Sequence, residues 1–253
     1  MSLDDVDVVH GDTDAVPFGG LTVGSRSVQV AGSSLLTAST ALIEKAKALA
    51  ADLLEAAVDD VVCTDGRFHV VGSATPSVGW AEIAAVGQPE AVSDFKAAQP
   101  TFPFGAHIAV VAIDRETGKV VVERVIALDD AGTLVNPLLV DGQVHGGIGQ
   151  GVAQALIEHM RYDELGNPVT SNFADYPIIS AAELPSFELV HMETPTWVNP
   201  LGAKGAGESG TIGSIPAVLN AVVDALSPYG VRNFNGPATP ERVWAALRDA
   251  SRP

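Results

Sequence analysis

Hydrophobic and polar positions along this chain recur in patterns that assign most of its elements. DDVDVV, residues 4–9, reads as a short strand. Between about Ser33 and Ala57, Leu35, Leu36, Ala38, Leu42, Ile43, Ala46, Leu49, Ala50, Leu53 and Leu54 recur at the spacing of one helix face, which predicts a long amphipathic helix. VVCT and RFHVV flank Asp65-Gly66, a pair suited to the positive φ angles of a tight hairpin turn. GWAEIAAV is a short helix candidate. AHIAVVAID and KVVVERVIALDD, on either side of Arg115-Glu116-Thr117-Gly118, predict a second strand pair.

Asn136-Pro137 opens a helix running to about Ile157, with Pro137 tolerated in its first turn. EHMRYD and the ELGN turn suggest another hairpin, and FELVHMET a strand. PAVLNAVVDAL, from Pro216, predicts a helix, and a last one begins near Thr239-Pro240-Glu241 with Thr239 as N-cap. Pro89, Pro100 and Pro103 and weak periodicity place a subdomain boundary near residues 88–104 of a domain otherwise spanning 1–253. Strands and helices mix without a regular βαβ alternation, so the expected class is α+β.

Composition narrows the function classes. Hydrophobic residues make up 47% and charged ones 18%, enough for a packed core. Fourteen Lys and Arg against 31 Asp and Glu leave a net charge of −17, which argues against a nucleic-acid surface. No apolar run reaches the roughly 18 residues of a membrane span, and MSLDDVDVVHGD lacks the basic and apolar regions of a secretory leader, so a cytoplasmic location is expected. One cysteine, Cys63, excludes an internal disulfide framework and a multi-cysteine metal site; it is expected to be a packed thiol. The six histidines show no ligand spacing, so no metal held by protein side chains is expected.

Three glycine-rich segments could carry chemistry. Gly205-Ala206-Gly207-Glu208-Ser209-Gly210 matches the G-x-G-x-x-G spacing of dinucleotide sites. Its context, TPTWVNPLGAK, carries Pro195 and Pro200 where that site needs a strand. The segment instead offers close backbone approach to a ligand and one carboxylate, Glu208, four residues after Lys204. Glu208 is either a general base or an exposed carboxylate at the start of the next helix. Gly142-Gln143-Val144-His145-Gly146-Gly147-Ile148-Gly149-Gln150-Gly151 places five glycines in a helical stretch. Each costs about 1 kcal/mol relative to Ala, so a ligand or a second helix must come close. Gln143 offers a donor and an acceptor to a heterocycle edge. Gly19-Gly20-Leu21-Thr22-Val23-Gly24-Ser25-Arg26-Ser27 is either a phosphate-receiving loop or a mobile surface loop.

This combination resembles the molybdenum-cofactor subunit of the xanthine dehydrogenase and aldehyde oxidase family, and most closely the large chain of aerobic carbon monoxide dehydrogenases. The stretches that carry the likeness are GDTDAVPFGGLTVGSRS, FPFGAHIAVVAID, ALDDAGTLVNPLLVDGQVHGGIGQG, MRYDELGNP and NPLGAKGAGESGTIGSIPAVLNAVVDAL. The likeness covers nearly the whole chain. It implies the C-terminal portion of such a subunit's molybdopterin-binding domain. It also implies a molybdopterin cofactor with molybdenum, in plain or cytosine-dinucleotide form. Glu208 takes the catalytic-base position. Gln143, Gly24, Ser25, Arg26, Ser27, Lys204, Gly205 and Gly207 take cofactor-binding positions.

The chemistry implied is hydroxylation of an aldehyde, an N-heterocycle or carbon monoxide with water as oxygen source, electrons leaving through iron–sulfur and FAD subunits. The family's upstream half, with a further glutamine–glycine cofactor loop and the substrate-selecting loop, has no counterpart in this sequence. Where carbon monoxide dehydrogenases carry a copper-binding cysteine in that selecting loop, Cys63 stands in a different context. The upstream half is therefore an expected partner, and the chain alone is expected not to turn over. The rival expectation is a non-catalytic module that completes a partner subunit's fold.

Overall fold

The computed structural model describes residues 3–16 and 19–250 and divides the chain into two compact units. Met1 and Ser2 of the MSL start, and Pro17 and Phe18 of the first glycine-rich segment, lie outside the described residues. The first unit comprises residues 1–23 and 29–98, the second residues 24–28 and 99–253. Helices and sheets are both present and segregated, the α+β class the sequence predicts.

In the first unit, helix α1 (Ser33–Leu54) packs on a three-stranded antiparallel sheet of β1 (Val61–Thr64), β2 (Arg67–Val70) and β3 (Ser77–Gly79), followed by α2 (Trp80–Val86). The β1–β2 turn is the predicted one: Asp65 and Gly66 have φ of 50° and 74°. Ala46, Ala50 and Ala51 let α1 approach Val61, Phe68, Val78 and Ile83, which form a separate core. The N-terminal part of the predicted helix face is not used this way: Leu35 and Leu36 are exposed, as is Leu53 near the C-terminal end. The predicted strand at residues 4–9 does not form. A 3-10 turn spans Leu3–Asp5, and Val6, Val8 and Val9 are exposed without a ladder partner.

The second unit is built on a sheet ordered β4-β5-β6, from β4 (Phe104–Ile113), β5 (Val120–Asp130) and β6 (Phe187–Met192). β4 and β5 are the predicted antiparallel pair, with a bulge between Val110 and Val111. β6 joins β5 in parallel, after a connection through α3 (Pro137–Leu156). Helix α4 (Ser209–Leu226) packs against α3 and β4, and α5 (Pro240–Ala250) completes the core around Val125, Ile148, Val152, Val218, Val222 and Val243. The α3 start is the predicted one: Asn136 Oδ1 accepts from the Leu139 amide, with Pro137 next. The predicted hairpin after Glu158 reduces to one bridge, Tyr162 to Pro168. Asp163 there accepts from the Leu165 and Asn167 amides, an alternative to ladder pairing.

Helix α4 begins seven residues earlier than Pro216, the predicted start, and passes through that proline. The glycines of the early turns are what permit it. A Cβ on Gly210 would stand 2.7 Å from the Val144 carbonyl oxygen, and one on Gly147 would stand 2.9 Å from the Thr211 nitrogen. Thr211 Oγ1 donates to the Gly147 carbonyl at 3.0 Å. The two helices therefore meet backbone to backbone, and Pro216 costs only the bond to the carbonyl of Ile212, whose side chain is exposed. By length and composition α4 could cross a membrane, yet it packs against α3 and β4 inside this fold.

Candidate cofactor site

The end of β5 and the glycine loop before α4 are zipped together. Gly132 and Ala203 form an antiparallel bridge, the Lys204 amide donates to the Ala131 carbonyl at 2.7 Å, and the Thr133 amide donates to the Gly202 carbonyl at 3.0 Å. Gly132 and Gly202 have φ of 66° and 68°, conformations that a side chain would strain. Asn199, itself buried, donates to the Ala203 carbonyl and accepts from the Ala203 amide. This rigid base delivers the segment Gly205–Glu208 to a fixed place.

There it meets residues from two other segments. A Cβ on Gly205 would lie 2.9 Å from Ser25 Cβ and 3.1 Å from the Gly24 carbonyl oxygen. One on Gly207 would lie 2.9 Å from Ser25 Oγ and 3.1 Å from Gln143 Oε1. Gly24 and Ser25 both take positive φ, 59° and 53°. Ser25 Oγ donates to Glu208 Oε2 at 2.9 Å, and Glu208 stands at the N-cap of α4. Gly24, Ser25, Gln143, Gly205, Gly207 and Glu208 thus share one place in the second unit, drawn from three separate stretches of the chain.

The helix glycines divide by role. Gly147 and Gly151 face α4, where a Cβ on Gly151 would overlap Ser214 Oγ. Gly142 and Gly146 have nothing within 4 Å of a Cβ and flank the exposed Gln143. Close helix contact, one of the two explanations open in the sequence, accounts for Gly147 and Gly151; Gly142 and Gly146 leave bare backbone beside Gln143. Arg26 and Ser27 follow Ser25 directly and are exposed.

Lys204 is turned elsewhere. Its Nζ is 2.9 Å from Asp130 Oδ1, with side chains 9% and 0% exposed, and 4.8 Å from the centre of the Phe104 ring. Burial alone would raise the Asp130 carboxyl. The nearby Thr194 hydroxyl, the hydrogen bonds from the Gly132 amide and Lys204, and the Lys204 charge outweigh it and hold the carboxyl below its ordinary range. Sequence reasoning missed Asp130 and Asn199; the one visible signal for the former was an acidic pair, Asp129-Asp130, ending an otherwise apolar strand.

Bare backbone, one side-chain amide, one hydroxyl and a single carboxylate meet at this place. The molybdopterin cofactor-binding domain family matches residues 1–185, and this chain belongs to it. The Glu208 loop lies beyond that match but within the relatives' alignments. The carbon monoxide dehydrogenase large chain of Hydrogenophaga pseudoflava is 40% identical over 96% of this chain, and the nicotine 6-hydroxylase large subunit of Paenarthrobacter nicotinovorans 38% over 98%. The solved structure of a reconstituted carbon monoxide dehydrogenase from Oligotropha carboxidovorans superposes with a TM-score of 0.90 at 35% identity, over 98% of this chain. In each case this chain spans 32% of the relative's length.

Proposed function

We propose that this chain is the C-terminal portion of a molybdenum hydroxylase subunit, where it supplies part of a molybdopterin cradle and the general base, Glu208. The observation that carries the reading is the meeting of Ser25, Gln143 and Glu208 at Gly205 and Gly207. Gln143, with Gly142 and Gly146 bare on either side, would hold the pterin edge. The segment Gly24–Ser27 would hold phosphate, in the plain or the cytosine-dinucleotide form. When bound, the group supplies two-electron redox chemistry and activates water as the oxygen source. Glu208 accepts the proton released there, and Ser25 Oγ fixes the direction of its carboxylate.

The named relatives act on carbon monoxide and on nicotine with chains similar over this same stretch, so the present residues serve a shared step and substrate choice belongs to the remaining portion. An aldehyde, an N-heterocycle or carbon monoxide are the candidate substrates, in a cytoplasmic enzyme with iron–sulfur and FAD partners as electron acceptors. Ile108, Val110, Val121, Val190 and Met192 are exposed around the Arg124–Glu188 ion pair on the side of the β4-β5-β6 sheet away from α4, a face that suits packing against the remainder of the subunit. By itself the chain then supplies an incomplete cradle and no turnover. The test is Glu208→Gln in the complete subunit with its partners. Turnover should fall about 100-fold or more while molybdopterin content stays at the parent level. Near-normal turnover removes the assignment.

A further inference from the structure

The Asp130–Lys204 pair is built more elaborately than a loop tie requires. Asp130 is the last residue of β5 and pairs in register with Phe104. Its Oδ1 accepts both from the Gly132 amide, at 2.9 Å, and from Lys204 Nζ. Lys204 is bound at both ends, its amide to the Ala131 carbonyl and its ammonium to Asp130. The Phe104 ring covers the ammonium. Both charges are withdrawn from water, so neither is replaceable singly without leaving the other unmatched.

From Lys204 to Glu208 the chain runs through Gly205, Ala206 and Gly207. Two of these three residues are glycines, so the segment has little stiffness of its own. Its course is set at its two ends: by the anchored Lys204 and by the N-terminus of α4. A shift of the Lys204 end by about 1 Å would be passed to Gly205, which already lies against Ser25, and so to the Ser25–Glu208 bond.

We propose that Asp130 is a positioning residue for Glu208: by holding Lys204 inside the fold, it fixes the path on which the glycine loop brings Glu208 to Ser25. Lys204 then serves the fold and the base, and not the phosphates of a cofactor. The inference rests on the reading of Glu208 as the base, but its anchoring half is measurable without any turnover.

The experiment uses the complete subunit with its partners and the variants Asp130→Asn, Lys204→Met and the two combined. Amide hydrogen exchange over residues 203–208 should rise tenfold or more in each single variant, while β5 and α3 keep their protection. The kcat should fall about tenfold with KM within about twofold, and the double variant should be no worse than the poorer single one, because both remove one shared interaction. If Asp130→Asn does not fold, Asp130→Glu keeps the charge but displaces it, and should loosen the same segment more mildly. Unchanged exchange over residues 203–208 overturns the proposal. So does loss of molybdopterin from Lys204→Met while Asp130→Asn retains it, since Lys204 would then be serving the cofactor directly. Should Glu208→Gln retain turnover while the exchange rises as stated, the anchoring is supported and only the base assignment falls.

Discussion

Ser25 and Glu208, 183 residues apart, share a hydrogen bond of 2.9 Å, Oγ to Oε2. It joins the first glycine-rich segment to the last and gives the single carboxylate of that loop a defined direction. Ser25 holds a positive φ of 53°, which few side chains adopt, so the bond is made at a conformational cost. Ser25→Ala should lower kcat about tenfold in the complete subunit, as for a hydrogen bond to a charged group worth about 1.5 kcal/mol, with cofactor content unchanged. Steady-state kinetics with a molybdenum assay checks both. An unchanged kcat means the bond does not orient the base.

Neighbouring glycines of α3 should respond in opposite directions. Gly147→Ala drives a methyl group against the Thr211 nitrogen and Gly210 Cα, both backbone, and should destabilise the chain by about 1–3 kcal/mol. Gly146→Ala meets open space and should stabilise it by up to about 1 kcal/mol, the helix preference of alanine. The same methyl group, beside Gln143, should lower molybdopterin content in the complete subunit. Denaturant titration and pterin assay separate the two effects.

Acid should weaken the tie between β5 and the glycine loop. The folded Asp130 carboxyl is held below its ordinary value, so the unfolded chain binds its proton first as pH falls. The stabilisation is therefore complete above about pH 4, the unfolded range, and is lost as pH drops through the lower folded value. Asp130→Asn should be less stable than the parent at neutral pH and should show a shallower loss as pH falls below about 4. Urea midpoints measured across that range give the comparison; parallel curves for the two proteins would refute it.

Much of this was legible in the sequence, and the exceptions have a common cause. Asn136-Pro137 sets the start of α3 by local chemistry, and Asp65-Gly66 sets its turn the same way, so both are readable from a few residues. The glycine segments announced close approach, but which glycine meets a helix and which meets open space depends on how α3 and α4 cross. The start of α4 at Ser209 depends on the same crossing, because Gly210 is helical against α3 despite its poor helix preference. Residues 4–9 had a plausible strand pattern and no partner strand. Lys204 holds a cofactor-binding position by resemblance, while its ion pair with Asp130, 74 positions away, is a contact that no local pattern shows.

The exposed outer face of the β4-β5-β6 sheet should matter for assembly more than for folding. Val190→Asp and Ile108→Asp change side chains that are already exposed, so the thermal midpoint of this chain should move by no more than a few degrees. Co-purification with the remaining portion of the subunit should fall sharply. Retained assembly would place the contact elsewhere on the chain.

The most direct test of the central claim is a structure of the complete subunit loaded with its cofactor. The account predicts the Gln143 amide within hydrogen-bond distance of the pterin, the segment Gly24–Ser27 against the same group, and the Glu208 carboxylate facing the molybdenum. A cofactor bound away from these residues, with Glu208 directed to solvent, would contradict it.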